Sequence, residues 1–344
     1  MRADSILLAV SRGLDVVEGE LAGVTTGHCA RVAAICNSMG KLLGMGVDER
    51  ITLSASALLH DSALTEWVVS GEETAAHCVQ GQRNIDMLPL PTSAAGLVLH
   101  HHERADGSGI MGLKGVSIGA EIISIADSYD SGKPLDGYAP RLLAALHTQT
   151  PAEIMPEWNL AGRDAIKLGQ IIAKVIDYKS KFTRHHTLGI AQKAQHMASF
   201  YKYEEEETAK LYLAACLHDV GKLATPTEVL EKPGKLTDDE FIIIKDHVRG
   251  THDMLDGIDP DIRKWASSHH ERLDGKGYPF GHGGKELDFN SRLMTCIDIY
   301  QAVSEERPYH PARSHDETMK ILRDMAVGGS IDGNIVRDLD VALG

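Results

Sequence analysis

Apolar residues recur along this chain mostly at helical spacing, and the alternation expected of a half-buried strand is scarce. Val32, Ile35, Leu42 and Leu43 make one apolar face that closes near Gly44 and Gly46. Ile51 to Leu59 makes a second, delivering His60-Asp61 at its C-terminal end. Leu97, Val98 and Leu99 lead into His100-His101-His102-Glu103-Arg104-Ala105-Asp106-Gly107-Ser108-Gly109, and Ile118 to Tyr129 predicts a helix carrying Asp127. Ala165 to Lys179 predicts another helix, and a later apolar run ends in Leu217-His218-Asp219. The Glu204–Glu207 run reads as a solvated helix start. Aromatic residues are 5% of the chain, which suits a helical Leu/Ala/Ile core better than a β-sandwich. The pattern predicts an all-α protein.

The order of features repeats. His28 and His60 are 32 positions apart, as are His186 and His218, and His60 and His218 are separated by 158. Asp127 follows His101 by 26 positions and Asp298 follows His269 by 29. Self-similarity at so long a period means a duplicated domain, not a solenoid. Helical patterning breaks between Pro151 and Gly162, where the boundary is expected.

Composition narrows the function classes. With 344 residues, 43% of them hydrophobic, the chain can bury two cores of ordinary size. A net charge of -14 argues against a general binder of DNA, RNA or membrane surfaces, which would carry a basic face. Cys29, Cys36, Cys78, Cys216 and Cys296 are odd in number and form no Cys-x-x-Cys, so they read as reduced thiols. The N-terminal apolar run is too short for a signal peptide or a membrane span, and a cytoplasmic protein is expected.

The chemistry concentrates in Ser268-His269-His270-Glu271-Arg272-Leu273-Asp274-Gly275-Lys276-Gly277-Tyr278-Pro279. Upstream stands His218-Asp219-Val220-Gly221-Lys222, and downstream Asp298 lies in the apolar run Met294 to Tyr300. A hydrolytic metal site needs histidine nitrogens and carboxylate oxygens converging from several helices. In this order and spacing the three pieces resemble the HD-GYP family of HD metal-dependent phosphohydrolases, many of which hydrolyse cyclic dinucleotides. The resemblance implies two tandem HD-type helical bundles: residues 1–155 as a degenerate copy and residues 156–344 as the catalytic HD-GYP domain.

Carried over residue by residue, the resemblance implies metal ligation by His186, His218, Asp219, His247, His269, His270 and Asp298, with Asp219 bridging two ions. His247 matches the histidine that follows the family's Lys-Pro-Gly segment, here Lys232-Pro233-Gly234. Asp219 and Lys222 are the implied catalytic residues. Lys222, Tyr278 and Arg307 are the implied contacts to substrate, and Glu271 and Asp274 orient the histidines and their loop. Phe182 stands where some members have a third-metal glutamate, so two ions are expected. His310 and Gln301 also depart from common family residues. His185, His196, His252 and His282 read as ordinary histidines.

In the first copy, His28, His60, Asp61, His77, His101, His102 and Asp127 fill the corresponding positions. Leu64 replaces the lysine, Gly109-Ile110-Met111 replaces Gly-Tyr-Pro, and the Lys-Pro-Gly stretch is missing. The first copy is therefore expected to bind metal while handling the usual substrate poorly or not at all, as a regulatory or structural partner; the alternative is a second active site of different specificity.

The expected function is a metal-dependent phosphodiesterase that converts cyclic di-GMP to pGpG and onward to GMP. The alternatives are 3′,3′-cGAMP as substrate, an HD-type nucleotidase, and a non-catalytic signalling module that binds a nucleotide or a partner. Iron or manganese suits such ligands, while nickel, cobalt and zinc stay open. Whether the chain forms a homo-oligomer is equally open.

Overall fold

The computed structural model describes residues 1–64, 75–180, 186–306 and 312–344. Among the described residues there is no β-strand, and the chain divides into two compact units, Met1–Leu160 and Ala161–Gly344. The first unit extends a little past the expected boundary at 155/156 because its last residues return to its N-terminus. Ala3 N–H donates to the Trp158 carbonyl at 2.8 Å, and Leu160 N–H to the Met1 carbonyl at 2.9 Å.

Unit 1 comprises α1 (Ala3–Ala22), α2 (His28–Leu42), α3 (Val47–Leu58), α4 (Ala75–Asp86), α5 (Ile118–Asp130) and α6 (Pro140–Thr148). Helix α2 packs on α1, α3, α5 and α6. Val32, Ile35 and Met39 of α2 enter a core with Leu53, Leu58, Ile122 and Ile123. Leu42, expected on that face, is exposed; Met39, one turn earlier, takes its place in the core.

Unit 2 comprises α7 (Gly162–Asp177), α8 (His186–Phe200), α9 (Glu205–Leu217), a 3-10 turn (Val220–Ala224), α10 (Thr227–Leu230), α11 (Asp238–Met254), α12 (Pro260–Ala266), α13 (Phe289–Ser304), α14 (His315–Val327) and α15 (Gly333–Leu343). Glu204 stands at the N-cap position of α9, and Glu205, Glu206 and Glu207 fill its first turn, where the helix dipole favours negative charge. Beyond that turn, Leu211 to Leu217 are buried without a break. A helix apolar on all sides belongs in the middle of its domain, and α9 is wrapped by α7, α8 and α12. Its C-terminal end, where His218 and Asp219 emerge, is therefore at the centre of unit 2. In unit 1, α3 delivers His60 and Asp61 in the same way, with Ile51 to Leu58 all buried.

Candidate metal centre

In unit 2 the backbone fixes which nitrogen each histidine offers. His218 Nδ1 bonds the Ala215 carbonyl at 2.7 Å, His247 Nδ1 that of Ile244 at 2.6 Å, and His269 Nδ1 that of Ala266 at 2.7 Å. A carbonyl only accepts, so Nδ1 carries the proton in all three rings and Nε2 presents a lone pair.

These lone pairs close on one carboxylate. His218 Nε2 lies 3.2 Å from Asp219 Oδ2, while His247 and His269 Nε2 lie 3.2 and 3.9 Å from Oδ1. Helices α8 and α13 add His186 and Asp298, 3.3 Å apart, and His270 Nδ1 stands 3.7 Å from the second oxygen of Asp298. The structure thus brings together all seven residues expected as ligands.

Buried His218 Nε2 and Asp219 Oδ1 make no hydrogen bond, and His247 and His269 aim Nε2 at each other across 3.3 Å. An unsatisfied buried polar group costs about 1–3 kcal/mol, more when charged. Convergent acceptors of this kind are what a divalent cation satisfies, so the donor set fits a metal. The protonation states agree. Burial, reinforced by His270 and His218, pushes His269 well down, and burial lowers His270 to about 4, so both are neutral near pH 7. Burial alone would raise Asp219, but His218 and Lys222 hold it well below the usual carboxylate range. Asp298 is likewise held low against its burial, chiefly by the His186 hydrogen bond and the His270 ring.

Lys222 donates to Asp219 Oδ2 at 2.5 Å and its side chain is 19% exposed, at the edge of the cluster. The turn that carries it is pressed onto α11. Gly221 N–H donates to Thr251 Oγ1 at 3.0 Å, and that hydroxyl donates to the His218 carbonyl at 2.9 Å. A Cβ on Gly221 would fall 1.9 Å from the His247 carbonyl oxygen, so only glycine permits this approach. The loop after His270 is shaped by Glu271, which is fully buried and accepts from the amides of Phe280 at 2.8 Å and His282 at 3.0 Å. Asp274 accepts from Lys276 N–H and pairs with Arg272, so both carboxylates shape the loop. Tyr278 lies against the His270 ring, with centroids 4.8 Å apart, and Lys245 Nζ sits 5.3 Å from the Tyr278 ring.

Unit 1 repeats this geometry. His28 Nε2 is 3.3 Å from Asp127; His60, His77 and His101 Nε2 lie 3.6, 3.3 and 3.4 Å from Asp61. His60 and His101 each turn Nδ1 to a backbone carbonyl, and Nε2 of His77 and His102 are 3.2 Å apart. Glu103 matches Glu271, accepting from Met111 and Leu113 amides at 2.7 Å each. The electrostatics differ. Against the lowering effect of burial, hydrogen bonds to Asp127 and Asp130 raise His28 to about 10, and Asp61 raises His77 to about 9. Burial instead lowers His102 to about 2.

Several residues at these sites carry no sequence motif. His28 Nδ1 bonds Asp130 at 2.7 Å. The equivalent position in unit 2 is Gln301, a departure whose consequence is now visible: Gln301 accepts from Lys193 at 2.6 Å, and Glu305, one turn later, bonds His186 Nδ1 at 3.0 Å. Behind the first histidines lie two further buried carboxyls. Thr187 donates to Asp177 at 2.6 Å, and burial raises Asp177 to about 7. Cys29 Sγ donates to Glu18 at 3.3 Å, and burial, with the charge of Asp61, raises Glu18 well above its ordinary value. Cys78 beside His77 was expected to be an ordinary thiol, yet it lies inside the histidine cluster. The expectations for Phe182, Arg307, His310 and His185 lie outside the described residues. His196 is exposed, His252 and His282 flank Phe280, and these three stand apart from the cluster.

Comparison with known proteins agrees with this geometry. Residues 25–132 and 170–335 each match a family model described as the HD domain. The chain is 28% identical to 3′3′-cGAMP-specific phosphodiesterase 1 of Vibrio cholerae, over 95% of this chain and 88% of that protein. It is 40% identical to a cyclic di-GMP phosphodiesterase of the same organism, but over 38% of this chain and 29% of that protein. The crystal structure of a V. cholerae cyclic GMP-AMP specific phosphodiesterase superposes with a TM-score of 0.63 at 20% identity, covering 100% of this chain and 98% of that one, which shows a shared fold. No helix among the described residues is long and apolar enough to cross a membrane. With an HD domain in each compact unit, the chain belongs to the HD superfamily of phosphohydrolases, in tandem arrangement.

Proposed function

We propose that unit 2 is a metal-dependent phosphodiesterase acting on a cyclic dinucleotide, with 3′,3′-cGAMP the favoured substrate and cyclic di-GMP the second reading. The observation that carries the chemistry is the convergence of three Nε2 lone pairs on the two oxygens of Asp219, with Lys222 on the same carboxylate. The near full-length likeness to a relative named for 3′3′-cGAMP supports the first substrate. The higher identity to a cyclic di-GMP phosphodiesterase, over a shorter stretch, keeps the second in play.

His186, His218, Asp219 and Asp298 would hold one ion, and Asp219, His247, His269 and His270 a second. Bound there, such ions supply a nucleophile at neutral pH and neutralise phosphate charge. The chain's own residues do the rest. Neutral His269 and His270 need lose no proton to ligate at pH 7, and Glu305 fixes the ring of His186. Lys222 is placed to leave Asp219 for a non-bridging phosphate oxygen and offset charge developing in the transition state. Tyr278, braced on His270 and beside Lys245, offers an aromatic face for a base at the rim of the cluster. Arg307 is a further candidate for a phosphate contact. Iron or manganese suits this nitrogen and oxygen donor set.

Unit 1 serves as a metal-binding structural or regulatory partner. Leu64 stands where unit 2 has its lysine, and Ile110-Met111 where it has Tyr278-Pro279. The test is kcat/KM for 3′,3′-cGAMP and cyclic di-GMP with manganese- or iron-loaded protein. Faster turnover of 3′,3′-cGAMP supports the preferred substrate, and faster turnover of cyclic di-GMP the second. Turnover of neither by protein shown to contain metal rejects both.

A further inference from the structure

Unit 1 carries two thiols among its ligand-type groups, Cys29 beside Glu18 and His60 and Cys78 beside three histidines, and the second joins the larger group. Cys78 follows His77 on α4, where the equivalent residue of α11 is Val248. Both are buried, at 1% and 0% exposure. Cys78 Sγ lies 3.5 Å from His77 Nε2, and the ligand-type atoms of His77, Cys78, His101 and His102 all fall within 4.8 Å of one another. A second observation points inward. His101 is wholly buried, its Nδ1 bonds the Val98 carbonyl, and its Nε2 has no hydrogen-bond partner.

We propose that unit 1 holds a divalent ion in a mixed nitrogen–sulfur site, with the Cys78 thiolate beside His77, His101 and His102, and that this site takes Zn2+ in preference to Mn2+. The inference rests on the reading that unit 1 binds metal, and it goes further by naming the donor and the metal class. Thiolate favours zinc, whereas manganese favours carboxylate, carbonyl and water oxygen. Three imidazoles and one thiolate supply the four nitrogen and sulfur donors of a tetrahedral zinc ion, with Asp61 3.3 and 3.4 Å from His77 and His101 beside them. Cys78 thereby gives a physical reason for unit 1 to keep its metal ligands while losing the lysine and the Gly-Tyr-Pro loop. The two halves of the chain would then be loaded with different metals.

The test uses the full chain carrying His218→Ala and Asp219→Ala, which removes the unit 2 site. Metal-free protein is loaded with Co2+, bound cobalt is counted, and the near-ultraviolet thiolate-to-cobalt charge-transfer absorption is recorded. The expected result is bound cobalt with that absorption, lost in Cys78→Val and retained in Cys29→Ala. Val248 shows that the shared scaffold accommodates valine, and Cys78→Ser supplies a variant of unchanged size with an oxygen donor. Zn2+ affinity should fall about tenfold or more in both Cys78 variants, with Mn2+ affinity little changed. Bound cobalt without charge transfer, absorption that survives Cys78→Val, or equal losses for both metals would overturn the proposal while leaving metal binding by unit 1 intact. No cobalt in this chain, when a His60→Ala/Asp61→Ala chain binds it, would overturn both.

Discussion

The two units build one scaffold and charge it differently. Each sends a buried helix to a His-Asp pair, turns the key rings by backbone carbonyls, and braces the double-histidine loop with a buried glutamate. In unit 2 burial leaves His269 and His270 neutral, Lys222 offsets the central aspartate, and Tyr278 borders the cluster. In unit 1, against burial, Asp61 pushes His77 and His101 up, while His28 is raised by carboxylates as its counterpart His186 is in unit 2, so in the absence of metal the three unit 1 rings hold protons near pH 7 that a metal must displace. A ligand set is thus not an active site. What separates the units is the cation that neutralises charge, the loop beside the metals, and one ring, His101 raised where its counterpart His269 is lowered.

Four changes sharpen that contrast. The largest effect belongs to Lys222→Leu, which gives unit 2 the residue found in unit 1. We expect kcat to fall by about 10²–10³-fold with metal content unchanged, checked by steady-state kinetics and elemental analysis; Leu64→Lys should not create turnover in unit 1. Next is Gly221→Ala, whose Cβ meets the His247 carbonyl and the Thr251 amide. It should destabilise unit 2 by about 1–3 kcal/mol, read as a lowered melting transition. The equivalent residue of unit 1 is already alanine, and Ala63→Gly there should cost only about 0.5–1 kcal/mol.

Glu305→Gln should weaken metal binding by unit 2 about tenfold, because it loosens the anchor of the His186 ring; competition with a chelator measures this, and the affinity of unit 1 should not move. The last effect concerns pH. Asp177 is held protonated up to about 7, against an ordinary value of 3.8. Between these values the folded state binds more protons than the unfolded state, so stability contributed by the neutral carboxyl is lost as pH rises from about 4 to about 7. Urea unfolding of metal-free protein should show this decline, and Asp177→Asn should flatten it.

The fold was legible because its cues are local, and the seven clustered residues of each unit through the family resemblance that those cues carry. A His-Asp pair ends an apolar run, and paired histidines precede a glycine-rich loop. The supporting shell was not. His28 meets Asp130 across 102 positions and His186 meets Glu305 across 119, so no short motif joins them. Gln301 shows why reading by position fails here: the carboxylate moved one turn along α13, keeping its contact and changing its address. Cys78 was passed over because one buried cysteine in a helix resembles any other until the fold sets three imidazoles around it. Leu42 was placed in the core by spacing alone, although it ends its helix at the surface.

The most direct test of the division of labour is turnover of 3′,3′-cGAMP and cyclic di-GMP by two double variants of the metal-loaded chain. His218→Ala/Asp219→Ala should reduce hydrolysis to background, while His60→Ala/Asp61→Ala should keep a substantial rate. Hydrolysis that survives the first variant and disappears in the second would contradict the account and place the active site in unit 1.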